Sequence, residues 1–259
     1  MAIATSRPGH AAQIFGLASR TKILEPPSRS EESMHHRINR DLLATAALWT
    51  GVLIPLLYFG NQFVAATFYP GYSFLSQDAS TLGSANSRWP MLFNIGSVVT
   101  GVLCGFAAWG FLHAARRNRI HPALAWATSL ALISFGLGAI NAGVHPLPDP
   151  RHISGPLAIG GIGGFLLPFL IPAALWKLPD ERWMKVLFAA NFALLLALFP
   201  IFSGLIQRVL VMTGNEWPAY QEFLNHRHGL LQRIAALAVV GPIGVGSYFL
   251  ARHAGGPTP

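Results

Sequence analysis

Six stretches of this chain contain no Asp, Glu, Lys or Arg: 42–77, 89–115, 120–148, 152–176, 186–207 and 234–251. An α-helix needs about 20 apolar residues, rising 1.5 Å each, to cross a hydrocarbon layer of about 30 Å. Each stretch reaches or approaches that length, the shortest having eighteen residues. A chain that withholds charge six times over cannot cover a water-soluble core with polar side chains. Composition agrees, with 11% charged and 52% hydrophobic residues and a mean hydropathy of +0.44. The pattern predicts an all-α, polytopic membrane bundle of six transmembrane helices at about 42–66, 91–113, 121–143, 155–176, 184–206 and 229–251. The domains expected are a disordered basic tail over 1–40, the six-helix domain over 41–252 and a short C-terminal tail over 253–259.

Sidedness follows from where the basic residues fall. Thirteen of the eighteen Lys and Arg lie in the N-terminal tail, the second and fourth loops and the C-terminus; the other five are Arg88, Arg151, Arg208, Arg227 and Arg233. The positive-inside rule then predicts cytoplasmic termini and outward-facing first, third and fifth loops. The tail has no apolar run long enough for a signal-peptide core. A plasma (bacterial inner) membrane location is expected, with membrane lipid as partner. The net charge of +8 is read as a topology signal rather than a nucleic-acid footprint. The lone cysteine, Cys104, rules out an intrachain disulfide and reads as a small buried hydrophobe.

The chemically interesting side chains gather in the loops predicted to face outwards. Loop one, "YPGYSFLSQDASTLGS", carries Tyr69, Tyr72, Ser76, Gln77, Asp78 and Ser80. Loop three, "NAGVHPLPDPRHISG", sets His145, Asp149 and His152 among three prolines. Pro fixes φ and denies helix to the residue before it, so this connection is stiff. Loop five carries Glu216, Trp217, Tyr220, Glu222, His226, Arg227, His228 and Arg233. If one helix starts near Trp217 and Pro218, Gln221, Asn225, His228 and Gln232 share a polar stripe. The motif "GLIQRV" at 204–209 is echoed by "GLLQRI" at 229–234, each with an arginine near an outer helix end. Arginines at such depth are functional candidates, because an unpaired one in a membrane is costly. Arg208 and Arg233 either converge as a clamp for phosphate or carboxylate, or pair with Asp78, Asp149 or Glu222 and hold the loops together. Gly101 with Gly105, and Gly160 with Gly164, read as small-residue pairs for close helix packing. Asn94, Asn141 and Asn191 read as interhelical hydrogen-bonding residues.

Loop one, "GVHPLPDPRH" and "GLLQRI" together resemble the signature of the bacterial membrane family known as domain of unknown function 998, over roughly 42–251. That family is distantly similar to DRAM-type six-helix membrane proteins, implicated in autophagy and lipid organisation. The resemblance implies fold and topology and assigns no reaction. Its recurrent positions map onto Tyr69, Pro70, Gly71, Tyr72, Ser76, Ser80, Gly83, Pro146, Asp149, His152, Gln232 and Arg233. Where its pattern has an acidic residue before "LG", this chain has Thr81.

Three functions fit these residues, and whether the chain is an enzyme stays open. The first is binding or organising a lipid or other amphiphile in an outer polar chamber. Its binding candidates are Ser76, Arg208, Trp217, Tyr220, His228, Gln232 and Arg233. The second is a membrane-embedded hydrolase acting on a lipid-like substrate. Its catalytic candidates are Asp78, His145, Asp149 and His152, with zinc as a possible cofactor held by His145, His152 and either His226 or His228. The third is a proton-coupled transporter, against which the helix interiors lack ionisable residues.

Overall fold

The computed structural model describes residues 29–152, 156–178, 182–202, 205–213 and 217–253. The chain divides into two compact units, 1–38 and 39–259. All regular structure among the described residues is helical. The helices are α1 (Arg29–Ala66), α2 (Pro90–Arg117), α3 (Pro122–Val144), α4 (Pro156–Leu175), α5 (Arg182–Phe202), α6 (Leu205–Met212) and α7 (Trp217–His253). Two short 3₁₀ turns, Ala79–Gly83 and Pro150–His152, lie in loops one and three. Prolines open α2, α3 and α4, where the missing N–H would have no partner in any case.

Five helices are long and apolar enough to cross a membrane, within α1, α2, α3, α5 and α7, and α4 contributes a shorter apolar segment, Gly160–Leu175. The six apolar stretches thus become six apolar helices, with three boundary corrections. Helix α1 already begins at Arg29, so residues 29–40 are helical rather than a disordered tail; residues 1–28 and 254–259 lie outside the described residues. The predicted fifth helix stops at Phe202, and Arg208 belongs to the separate α6. Finally, α7 runs unbroken from Trp217, the longer of the two starts considered. At 1.5 Å per residue its 37 residues extend about 55 Å, well beyond a hydrocarbon layer of about 30 Å.

Within 39–259 the helices close on one another through small residues. A Cβ on Gly101 would lie 2.4 Å from the Gly136 carbonyl, and one on Gly138 would lie 2.8 Å from Gly160 Cα, so α2–α3 and α3–α4 touch backbone to backbone. Gly101 therefore pairs with Gly136 rather than acting with Gly105, where a Cβ would meet nothing within 4 Å. Helix α7 packs on α4, α2 and α5, and Asn191 donates to the Ala238 carbonyl to tie α5 to α7. Leu48, Phe111, Leu132, Ile171 and Phe249 lie in the buried core. Many large apolar side chains face outwards, among them Leu56, Phe165 and Val186, each about two-thirds exposed. An exterior of that kind suits hydrocarbon and not water. At the opposite end from loops one and three, Asp41 bridges α1 to α2 through His113 (3.0 Å) and Arg117 (2.9 Å).

Candidate functional site

Loop one is folded by its own turn chemistry and then docked on α7. Tyr69-Pro70-Gly71-Tyr72 makes a tight turn in which Tyr72 N–H donates to Tyr69 O (3.2 Å) and Gly71 has φ 72°. Proline followed by a left-handed glycine is the signature of a type II turn. Gln77 closes the next turn, its side-chain oxygen accepting from Ser73 N–H at 2.7 Å. The carbonyls of Phe74, Leu75 and Gln77 then need donors, and α7 supplies them. Arg233 Nη1 donates to Phe74 O and Gln77 O, both at 3.0 Å, and to Gly229 O at 2.7 Å. Its Nη2 donates to the Tyr72 hydroxyl, which in turn donates to Asp78 O (2.9 Å). The guanidinium also lies over the rings of Phe74 (4.8 Å) and Tyr72 (5.6 Å). Leu230 N–H donates to Leu75 O at 3.0 Å. Only glycine fits at 229, since a Cβ there would sit 2.3 Å from Gln77 O. Burial pushes the Tyr72 hydroxyl above its ordinary pKa, opposed by the neighbouring Arg233.

Two further contacts complete the dock. Gln232 Oε1 accepts from Ala79 N–H at 2.8 Å. His228 Nδ1 stands 2.6 Å from Asp78 Oδ1, a close contact whose angles fall outside those of a hydrogen bond. Among the described residues Arg233 thus meets no carboxylate, contrary to the pairing considered from sequence. Nor does it form a clamp with Arg208, which is exposed on α6.

The described part of loop three, through His152, is held almost wholly by itself. His145 N–H donates to Asn141 O and ends α3. Asp149 accepts from Arg151 N–H (2.9 Å) and takes the Arg151 guanidinium in a forked pair at 3.1 and 2.7 Å. The Arg151 side chain, then its backbone N–H, hold the Asp149 carboxyl down at a pKa of about 2. The His145 ring lies 3.5 Å from Asp149, while His152 turns inwards and its Nδ1 bonds to the His145 carbonyl at 2.7 Å. Asn141 steadies the far end through a bond to Arg151 O (2.9 Å), a loop contact where an interhelical one was expected. Asn94 likewise caps loop one, donating to Gly83 O at 3.1 Å.

Both loops line a cavity of about 540 Å³ between α1, α2, α3, α4 and α7. Asp78, Ser80, His152 and Gln232 line the end nearest the loops; Phe135, Gly164, Phe165 and Val239 line the deeper part. The seven residues from Gln232 to Val239 set that depth at about 10 Å along α7. Gly161, also in the lining, is exposed, and a Cβ on it would meet nothing within 4 Å. With Phe165 66% exposed beside it, the cavity opens sideways between helices.

The remaining candidates fall elsewhere. Ser76 is half-buried in loop one, its N–H bonded to Ser73 Oγ (3.3 Å). Tyr220 stacks on Phe223, and the Trp217 side chain lies outside the described residues. His226 lies 3.6 Å from Glu222 on an exposed turn of α7. The histidines proposed as zinc ligands are thus divided among separate partnerships, and among the described residues no group of three His, Cys, Asp or Glu side chains is arranged to hold a metal. Sequence reasoning missed Tyr58, Ser97 and Phe135 in the cavity wall, and Gly229 under loop one. The repeat "GLLQR" was a signal for the last, because a glycine on the same helix face as Gln and Arg marks a surface another backbone approaches.

Over residues 52–247 the chain matches the family described as "Protein of unknown function (DUF998)". It belongs to that family. No curated protein and no solved structure matches it. In this DUF998 chain the matched span takes in both loops, the cavity and the docking segment of α7.

Proposed function

We propose that this protein crosses a membrane six times, with both termini cytoplasmic, and binds an amphiphile from the bilayer in the cavity beneath loops one and three. Membrane lipid is its partner, and a bacterial inner membrane its location. The observation that carries the reading is the division of the cavity lining. Polar groups from the two loops cap one end, a glycine-rich apolar wall continues below them, and an exposed opening at Gly161 and Phe165 faces laterally. Ligand sites are commonly apolar with a few placed polar groups, and this lining has that form. The even number of apolar helices returns both ends of the chain to one side, and thirteen basic residues favour the cytoplasm for it. A zinc hydrolase draws less support, because its candidate ligands stand in separate pairs.

The test is extraction of bound lipid from detergent-purified full-length chain and from Gly161→Phe, whose added ring enters open space. Roughly one amphiphile per chain is expected in the wild type, with most of it lost in the variant. Equal amounts in both would sink the reading.

A further inference from the structure

We infer that the occupant of this cavity carries an uncharged, hydroxyl-bearing headgroup, and that His152 Nε2 accepts its hydroxyl proton in a hydrogen bond. The inference rests on the amphiphile reading above and deepens it.

The first ground is the tautomer of His152. A carbonyl oxygen can only accept, so the 2.7 Å contact from Nδ1 to the His145 carbonyl puts the ring proton on Nδ1. In a neutral imidazole the other nitrogen then offers a lone pair. The residue is only 6% exposed, its ring lines the cavity, and Nε2 has no partner among the described residues. The surroundings hold the ring in place, through His152 N–H to Asp149 O and Asn141 to Arg151 O, both at 2.9 Å. An acceptor held this firmly in the cavity wall is placed to take a donor from the ligand.

The second ground is charge. Among the described residues no Lys or Arg lines the cavity, and Asp78 is the one carboxylate in that lining. The nearest arginine along α7, Arg233, spends its Nη donors on loop-one carbonyls, Gly229 O and the Tyr72 hydroxyl. A phosphate or carboxylate headgroup would lose its hydration and meet a lone pair and a carboxylate, with no Lys or Arg of the described lining in return and only the buried Nε of Arg233 left unpaired nearby. A hydroxyl meets no such penalty, and an ammonium head would give up its hydration for a single carboxylate whose Oδ1 already stands 2.6 Å from His228. Gln232, whose Oε1 already accepts from Ala79 N–H, offers its Nε2 hydrogens to a ligand oxygen. One hydroxyl donating to His152 and one ester or ether oxygen accepting from Gln232 describe an acylglycerol-like head.

The experiment titrates full-length protein in micelles, by native mass spectrometry, with monooleoylglycerol, lysophosphatidic acid and oleylamine, which share one chain and differ in head charge. Monooleoylglycerol is expected to bind about tenfold tighter than either charged probe, the equivalent of one buried hydrogen bond. His152→Asn keeps a nitrogen toward the His145 carbonyl and has no atom in place of Nε2. It is expected to melt as the wild type does and to lose about tenfold in monooleoylglycerol affinity. Equal or tighter binding of lysophosphatidic acid or oleylamine overturns the headgroup assignment, as does unchanged affinity in a folded His152→Asn. If that variant does not fold, the wild-type ranking of the three probes decides alone. In each of those cases Gly161→Phe still lowers binding of every probe, so the cavity reading survives. No binding by any probe, or binding indifferent to Gly161→Phe, removes the cavity reading and this assignment with it.

Discussion

Loops one and three roof the same cavity, yet they are held by opposite means. Loop three satisfies itself: Asp149, Arg151, His145 and His152 bond within a few residues of one another, and Asn141 is the last turn of the preceding helix. Loop one keeps its turns in order locally but sends its carbonyls to Arg233 and Leu230, more than 150 residues away. A proline-stiffened chain needs little outside help, whereas a longer loop with exposed carbonyls is ordered only by an imported donor. The difference bears on the cavity. Its His152 wall is built to stay put, and its Asp78–Ser80 wall depends on a latch between distant segments.

The sharpest way to break this contrast is Arg233→Met. It strips the charged donor from two loop-one carbonyls and the Tyr72 hydroxyl together. At about 1–3 kcal/mol for each unsatisfied group, a loss of about 3 kcal/mol or more is expected, read by thermal unfolding in micelles with proteolytic opening of residues 67–78. A loss below about 1 kcal/mol would mean that loop one stands without its latch.

A smaller effect sharpens the same point. Gly229→Ala drives a methyl group against the Gln77 backbone and should cost about 1–3 kcal/mol, an overpacking loss. The matched control, Gly105→Ala, faces open space, and by helix propensity alone should be neutral or stabilising by up to about 1 kcal/mol. Equal melting temperatures for the two variants would contradict the close approach of α7 to loop one.

Loop three gives the mildest prediction. The Asp149 carboxyl sits at about 2, below its unfolded value of about 3.9. A lowered pKa contributes stability that is complete above the unfolded value and disappears as pH falls through the folded one. Loop three should therefore be unchanged from neutral pH down to about 4 and loosen between about 4 and 2. In Arg151→Gln the Asp149 titration, followed by carboxyl carbon NMR, should move up toward about 4. A midpoint that stays near 2 would assign the shift to something other than Arg151.

Much of the frame was legible in the residues. Charge-free runs predict apolar helices because burying charge in hydrocarbon is expensive at any position, whatever the neighbours are. The prolines of 146–150 predict a rigid connection for an equally local reason. Turn chemistry at Pro70-Gly71 is legible in the same way, since φ preferences belong to single residues.

The site was legible only in part, and the repeated motif shows why. "GLIQR" at 204–208 and "GLLQR" at 229–233 are nearly the same five residues, yet Arg208 is exposed and Arg233 anchors a distant loop. His145 and His152 look equivalent in sequence, but one ring turns to Asp149 and the other into the cavity. By itself the sequence determined the all-α membrane character, the helix ends marked by proline and the stiffness of loop three. Each rests on a cost that a residue carries wherever it goes. Only the tertiary structure decided which arginine is spent, which imidazole nitrogen is left open and that a cavity lies among five helices. Those outcomes depend on which donor meets which acceptor across the fold, and no single segment contains both.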